Sequence, residues 1–150
     1  MCEAKSIDGG FHAHNNLGVD ISNALAAIDS GAVIVDGSSM GLGAGAGNAA
    51  LEGIVVNYRR TSGNALGLEN FLMLSQLIES KFPDFLPRTT SSSIQSGDAG
   101  VFSGFAPQVR QLSVEFGVSQ EGLWRELGKR RLVAGQESMI REIAEDLMNL

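Results

Sequence analysis

The chain has 150 residues, of which 43% are hydrophobic, and its formal net charge is -6. This composition allows one packed core, and the acidic balance argues against binding nucleic acid by bulk electrostatics. The single cysteine, Cys2, excludes a disulfide framework and a Cys-rich zinc site. Because the sequence has no long apolar run and no signal-peptide pattern, we expect a cytoplasmic protein that does not enter the membrane.

The first half of the chain alternates between strand-like and helix-like segments. Residues 1–8 are predicted to be irregular, residues 9–14 a short strand, and residues 18–30 a helix that ends before Gly31. The apolar run 32–36 is typical of a buried parallel strand. A small-residue loop at 37–48 and a helix at 49–60 follow. This order predicts the βαβ arrangement of an α/β fold with a parallel sheet.

The second half is predicted to be helical, with no strand after residue 70. Residues 68–82 form a helix with a strongly apolar face, which the prolines and the polar run 89–93 interrupt. Residues 107–116, 120–131 and 136–150 are predicted to form three more helices. Two strands are too few for a free-standing parallel sheet, and a complete (β/α)8 barrel needs roughly 200 residues or more. We therefore expect the last part of a larger α/β enzyme with a helical tail.

The only two histidines, His12 and His14, lie two positions apart in the first predicted strand. A strand repeats every two residues, so both imidazoles face the same way and could form half of a divalent-metal site. Such ligands suit Mn, Fe, Co or Zn, and a complete site needs at least one more. Asn15 and Asn16 could orient these ligands or cap the next helix.

Two further features at strand ends leave alternatives open. The loop 41–48 (GLGAGAGN) could bring backbone N–H groups to an anion, or it could be a tight turn packed under a neighbour. It lacks the Lys-Ser/Thr of a Walker A motif and does not complete a dinucleotide-binding fingerprint. Asp36 could reach an active site or serve a loop or cap role.

Taken together, three segments resemble the 4-hydroxy-2-oxovalerate aldolases, a branch of the metal-dependent pyruvate aldolases within the HMG-CoA lyase and isopropylmalate synthase superfamily. These segments are 10–18, 41–48 and 126–140. The resemblance implies that residues 1–66 are the C-terminal portion of a (β/α)8 TIM barrel. It implies that residues 67–150 are an α-helical domain of the kind that contacts an acylating aldehyde dehydrogenase.

The resemblance also implies a chemistry and a set of site residues. His12 and His14 would ligate a divalent metal, usually Mn, while His12 and Asn48 would contact a 2-keto acid substrate. The metal would stabilise the pyruvate enolate during retro-aldol cleavage to pyruvate and an aldehyde. In segment 97–105, Phe102 replaces the family's active-site Tyr, and Asp98 replaces the Tyr that precedes it.

The family's Thr-Leu-Arg-Asp-Gly signature, which supplies an Asp ligand, an Arg and a catalytic His, does not occur in this sequence. We therefore expect a segment that cannot complete a catalytic site by itself. One alternative is a non-catalytic assembly protein derived from such an aldolase, and another is part of a Claisen-type acyl-CoA synthase. The unpaired edge of strand 32–36 could be covered by a second copy of the chain or by the helical tail folding back over it. We expect a homo-oligomer or a missing N-terminal half as the partner.

Overall fold

The computed structural model describes residues 8–64 and 67–149. The chain divides into two compact units, Met1–Arg88 and Thr89–Leu150. The predicted lead-in and the predicted domain boundary at residue 66 fall at least partly on residues outside the described part. The division into 1–66 and 67–150 therefore stays a prediction. Among the described residues, no helix combines the length and apolar character needed to cross a membrane.

The first unit follows the predicted strand–helix–strand order. Its elements are β1 (Gly10–His12), α1 (Asp20–Asp29), β2 (Ile34–Asp36), α2 (Leu51–Ser62) and α3 (Leu68–Lys81), with 3-10 turns at Ser39–Gly41 and Pro83–Phe85. The two strands pair in parallel, and their register places His12 opposite Asp36. The α/β class and the parallel pairing are confirmed, and both predicted strands are shorter than expected.

The prediction that β2 is a buried strand is wrong for this chain. Val33 and Ile34 are 60% and 62% exposed. One face of the sheet packs against helices, where Phe11 and Val35 join a core of Ala13, Ala24, Ala49 and Ile54. Successive strand residues point to opposite faces, so the residues between these core positions face away from the helices. Burial on both faces requires a second layer, and the described residues supply a layer on one face.

Helix α3 is confirmed over nearly the predicted range, but only part of its apolar surface is buried. Ser75 and Ile78 are buried, and α3 packs against α2 and the 3-10 turn Ser39–Gly41. Leu72, Leu74 and Leu77 are between 44% and 52% exposed.

The second unit is built from α4 (Ser91–Asp98), α5 (Ala106–Phe116), α6 (Gln120–Lys129) and α7 (Ser138–Met148). The last three match predicted helices. Their shared core surrounds Trp124, which is 1% exposed, and includes fully buried residues from each of the three helices. Burial of such an aromatic side chain dominates the packing energy of a small helical unit.

Helix α4 is not among the predicted elements: the polar run 89–93, which is expected to break the helix 68–82, also contains the start of α4. Thr90 and Ser93 form a capping box, in which the Ser93 N–H donates to Thr90 Oγ1 at 3.1 Å and the Thr90 N–H donates to Ser93 Oγ at 2.8 Å. This pair satisfies two backbone donors that a helix start would otherwise leave free. The helix buries Ser93 and Ser96 rather than large apolar side chains, so apolar periodicity could not reveal it.

Candidate functional site

The structure brings both histidines to the end of the paired strands. The ring centroids of His12 and His14 lie 4.9 Å apart in an edge-to-face arrangement. His12 ends β1, and His14 forms an isolated antiparallel bridge with Asn48 just beyond it. The predicted side-by-side placement of two imidazoles is therefore present in the described fold.

Asp36 accompanies this pair. It ends β2 directly opposite His12, and its Oδ1 is hydrogen-bonded to His12 Nδ1. The two side chains are 44% and 61% exposed, for His12 and Asp36 respectively. Of the alternatives for Asp36, the structure supports contact with the candidate site, because its carboxylate is hydrogen-bonded to a predicted ligand and caps none of the described helices.

The glycine loop is tied to the strand segment that carries His14. The Ala49 N–H donates to the Ala13 carbonyl at 2.9 Å, and the Asn15 N–H donates to the Gly47 carbonyl at 2.8 Å. The Ala46 N–H donates to Asn16 Oδ1 at 3.1 Å. The N-cap residue of helix α1 is Val19, and no side chain caps the helix, so the alternative that the asparagines cap this helix is wrong.

The end of the loop, residues 46–48, is a tight turn. The N–H groups of Ala46, Gly47 and Asn48 are all hydrogen-bonded within the first unit, to Asn16, Ala44 and Gly41. A ligand anion would have to displace these bonds. The structure therefore supports the turn at residues 46–48. The N–H groups of Gly43, Ala44 and Gly45 donate to no described residue, so the anion interpretation stays a prediction for them.

Asn48 links this loop to the histidines. Its Nδ2 donates to the Leu42 carbonyl at 3.0 Å, and its backbone bridges to His14. Its Oδ1 is buried and has no partner among the described residues. Buried amide oxygens are usually hydrogen-bonded, so this acceptor is an exception next to the candidate ligands. The role of Asn48 in substrate binding stays a prediction.

Sequence reasoning missed Glu52, which braces the start of the loop. Met40 has a left-handed backbone, with φ at 54°. Its N–H donates to Glu52 Oε2 at 2.9 Å, and Ser75 Oγ donates to Glu52 Oε1 at 2.7 Å. In the sequence, an acid in the first turn of a helix indicates only a favourable interaction with the helix dipole.

Phe102 lies in the second unit, just before the 3-10 turn Ser103–Phe105. Its ring contacts that of Phe105 edge-on, with centroids 5.5 Å apart, and it is 43% exposed. Its correspondence to the family's active-site Tyr stays a prediction.

The donor set fits a divalent cation in part. His12 and His14 supply two imidazoles, and a carboxylate behind one of them is the arrangement that commonly orients metal-bound histidines. Across 8–64 and 67–149, no group of three or more His, Cys, Asp or Glu side chains could hold a metal ion. These residues therefore fit two positions of a coordination sphere that needs further ligands.

Comparison with known proteins gives two family matches and a consistent set of relatives. Residues 1–79 match the HMGL-like family, and residues 87–149 match the DmpG-like communication domain. The 4-hydroxy-2-oxovalerate aldolase of Spirochaeta aurantia is 47% identical over 147 residues, which are 97% of this chain and 43% of the relative. The 4-hydroxy-2-oxovalerate aldolase 2 of Salinispora arenicola is 44% identical, with 96% and 42% covered. That of Pectobacterium atrosepticum is 43% identical, with 92% and 40% covered. The chain thus spans less than half the length of these relatives.

Proposed function

The chain belongs to the HMGL-like family, and on this premise we propose that it is one portion of a divalent-metal-dependent carbon–carbon lyase. The proposed substrate is a 4-hydroxy-2-oxo acid, and the products are pyruvate and an aldehyde. The observation that carries the proposal is the pair His12 and His14, adjacent at the end of the parallel strands and backed by Asp36. This pair lies inside the segment that matches the family.

His12 and His14 would hold the cation, for which Mn is the first choice. A bound divalent cation supplies Lewis-acid polarisation of the 2-oxo acid and stabilises the negative charge that develops when the carbon–carbon bond breaks. The protein's own contribution is to fix the ligands and the substrate. We assign polar substrate contact to Asn48, because its side-chain oxygen has no partner among the described residues. His12 would touch the substrate only through its ring carbons, since one ring nitrogen is bonded to Asp36 and the other would hold the cation. At Phe102 the ring is kept without a hydroxyl that could donate a hydrogen bond.

The remaining parts of the site must come from another length of polypeptide. The sequence has two histidines, and both are assigned as ligands, so no histidine is left to act as general base. The outward face of β2, on which Ile34 is 62% exposed, would become covered if further strands paired with the sheet and closed it into a barrel. We therefore propose that the chain is inactive alone and works with a missing barrel portion, in the same or another chain, within a homo-oligomer.

The second unit would mediate a protein contact. It matches the DmpG-like communication domain, which supports an interaction with an acylating aldehyde dehydrogenase that receives the aldehyde. A partner that consumes a reactive aldehyde directly would keep it from solvent.

A second candidate, a non-catalytic assembly protein, is favoured by one observation: the described residues do not offer a third ligand to the histidine pair. In that case the histidines would be remnants. Metal binding separates the two candidates, because only the lyase proposal requires His12 and His14 to hold a cation.

Calorimetric titration of the purified chain with Mn²⁺ tests the proposal, with the His12→Ala/His14→Ala double variant as control. We expect weak binding by the wild-type chain and none by the double variant. A coupled assay for pyruvate should show no turnover of 4-hydroxy-2-oxovalerate by the chain alone. Turnover by the isolated chain would contradict the proposal that its site is incomplete. Equal binding of Mn²⁺ by the wild-type chain and the double variant would favour the assembly role.

A further inference from the structure

The two candidate ligands are held in different ways. His12 carries a side-chain hydrogen bond from its Nδ1 to Asp36. The ring of His14 has no hydrogen bond to any described residue, and it rests edge-on against the His12 ring. One imidazole is thus fixed by a carboxylate, and the other by its backbone and its neighbour.

The position of Asp36 follows from the strand register. Phe11 pairs with Val35 and His12 with Asp36. Residues paired in parallel strands project to the same side of the sheet, so the His12 and Asp36 side chains start next to each other. An aspartate side chain is short, and therefore it can hold the ring only in a narrow range of orientations.

The hydrogen bond also determines which nitrogen is available. An ionised carboxylate can only accept, so the proton of a neutral His12 lies on Nδ1. The lone pair is then on Nε2, and the hydrogen bond made by one ring nitrogen sets the role of the other. His14 has no equivalent constraint among the described residues.

We infer that Asp36 is a positioning residue for the metal site: it holds His12 as the Nδ1–H tautomer and presents Nε2 to a divalent cation. This inference rests on the proposed function and deepens it. Asp36 acts through His12 and does not contact substrate. Because its side chain is 61% exposed, its removal should change stability little.

The test compares Asp36→Ala with Asp84→Ala, in a Cys2→Ser background that removes the single thiol. Asp84 is an exposed aspartate of the same unit, in the turn Pro83–Phe85, and makes no hydrogen bond to the described residues. The first readout is the tautomer of each imidazole, from long-range nitrogen–proton NMR correlations with both rings neutral and no metal added. The second is the affinity for Zn²⁺ by calorimetry.

We expect His12 to be the Nδ1–H tautomer in the background protein and in Asp84→Ala. In Asp36→Ala the His12 ring should become a mixture of tautomers. The affinity for Zn²⁺ should fall about 10- to 100-fold in Asp36→Ala, as is typical when the partner of a metal-bound histidine is removed. Asp36→Asn, which keeps an acceptor oxygen without the charge, should lie between the two.

The outcomes separate the two levels of the proposal. Unchanged His12 tautomer and unchanged Zn²⁺ affinity in Asp36→Ala would overturn the positioning role and leave the metal role intact. Failure of the background protein to bind Zn²⁺, with the Nδ1–H tautomer present, would overturn the metal role and with it the inference. An equal loss of affinity in Asp84→Ala would show that general charge, not orientation, is responsible.

Discussion

Gly47→Ala should lower the free energy of unfolding of the first unit more than a glycine-to-alanine substitution that causes no steric overlap. Gly47 has φ at +94°, where L side chains are strained. A Cβ there would lie 2.2 Å from the Gly41 carbonyl oxygen and 2.7 Å from Pro87 Cβ. The backbone conformation costs about 1–2 kcal/mol for an L residue. The overlap forces backbone and ring apart at about 1–3 kcal/mol more, so we expect a total loss of about 2–5 kcal/mol.

Gly63→Ala is the matched control, because it isolates the overlap from the backbone term. Gly63 also has positive φ, at +72°, and a Cβ there meets no atom within 4 Å. It should cost only the backbone term of about 1–2 kcal/mol. Urea unfolding followed by far-UV circular dichroism measures both losses, and the single Trp124 reports separately on the second unit.

An NMR readout shows where the loop moves. The Asn15 N–H donates to the Gly47 carbonyl, so its amide signal should shift in Gly47→Ala and stay in place in Gly63→Ala. Equal stability losses in the two variants, within about 0.5 kcal/mol, would refute the steric argument. A lower midpoint of the tryptophan transition would refute its restriction to the first unit.

Three further predictions concern the hydrogen bonds of Glu52, the N-cap of α4 and the ion pair between Lys129 and Glu126. Glu52→Ala should destabilise the first unit by about 1–3 kcal/mol, since it removes the acceptor of a loop N–H. Ser75→Ala should cost less in the same urea titration, because it leaves that bond in place, and equal costs would contradict the brace. Thr90→Ala should lower the unfolding free energy of the second unit by about 0.5–2 kcal/mol, measured by tryptophan fluorescence, and no change would exclude a role for the cap. The Lys129 ammonium hydrogen-bonded to Glu126 lowers the pKa of that carboxyl, with Arg130 adding to the effect. Because the pKa is lowered in the folded state, the ionised Glu126 carboxylate stabilises the fold at pH above the ordinary glutamate pKa. This stabilisation is lost as the pH falls through the lowered pKa. The stability advantage of the wild type over Lys129→Ala should therefore shrink on acidification, and a constant difference across pH would contradict this.

The order of elements could be predicted from the sequence because it depends on local patterns. Gly31 after α1 and the apolar run before Asp36 marked the first helix and second strand within a few residues. Burial of β2 could not be predicted in the same way. It depends on a layer that no described residue provides, and an apolar run indicates only that a strand is suited to burial.

Helix α4 shows a different limit. Its first turn is polar, and Ile94 is its only large apolar residue. Its start is stabilised by the reciprocal hydrogen bonds of Thr90 and Ser93, where the usual capping box has a glutamate or glutamine at the second position. A method based on apolar periodicity therefore assigns this segment to a loop.

The candidate site, too, could be predicted from the sequence only in part. The two-residue repeat of a strand was enough to place His12 beside His14. Asp36 was visible only as an acid at a strand end, because the register that sets it opposite His12 is a property of strand pairing, which one sequence does not contain. Glu52 was visible only as an acid in the first turn of a helix, since its partners are a loop N–H and a serine on another helix.

The way each proposed ligand is fixed has a consequence for how the proposed metal site can fail. His14 lies between Ala13 and Asn15. The Ala13 carbonyl is hydrogen-bonded to Ala49, directly after the glycine loop, and the Asn15 N–H to Gly47 within it. His12 is held instead by a side chain of the neighbouring strand. A change in the loop should therefore displace the His14 backbone and leave the bond between His12 and Asp36 in place, whereas loss of Asp36 should release the His12 ring and leave the His14 backbone in place. A cation held by two imidazoles needs both in position, so either change should weaken binding. A shifted NMR signal of the His14 backbone indicates loss of the loop contacts, and a change confined to the side chains indicates loss of Asp36.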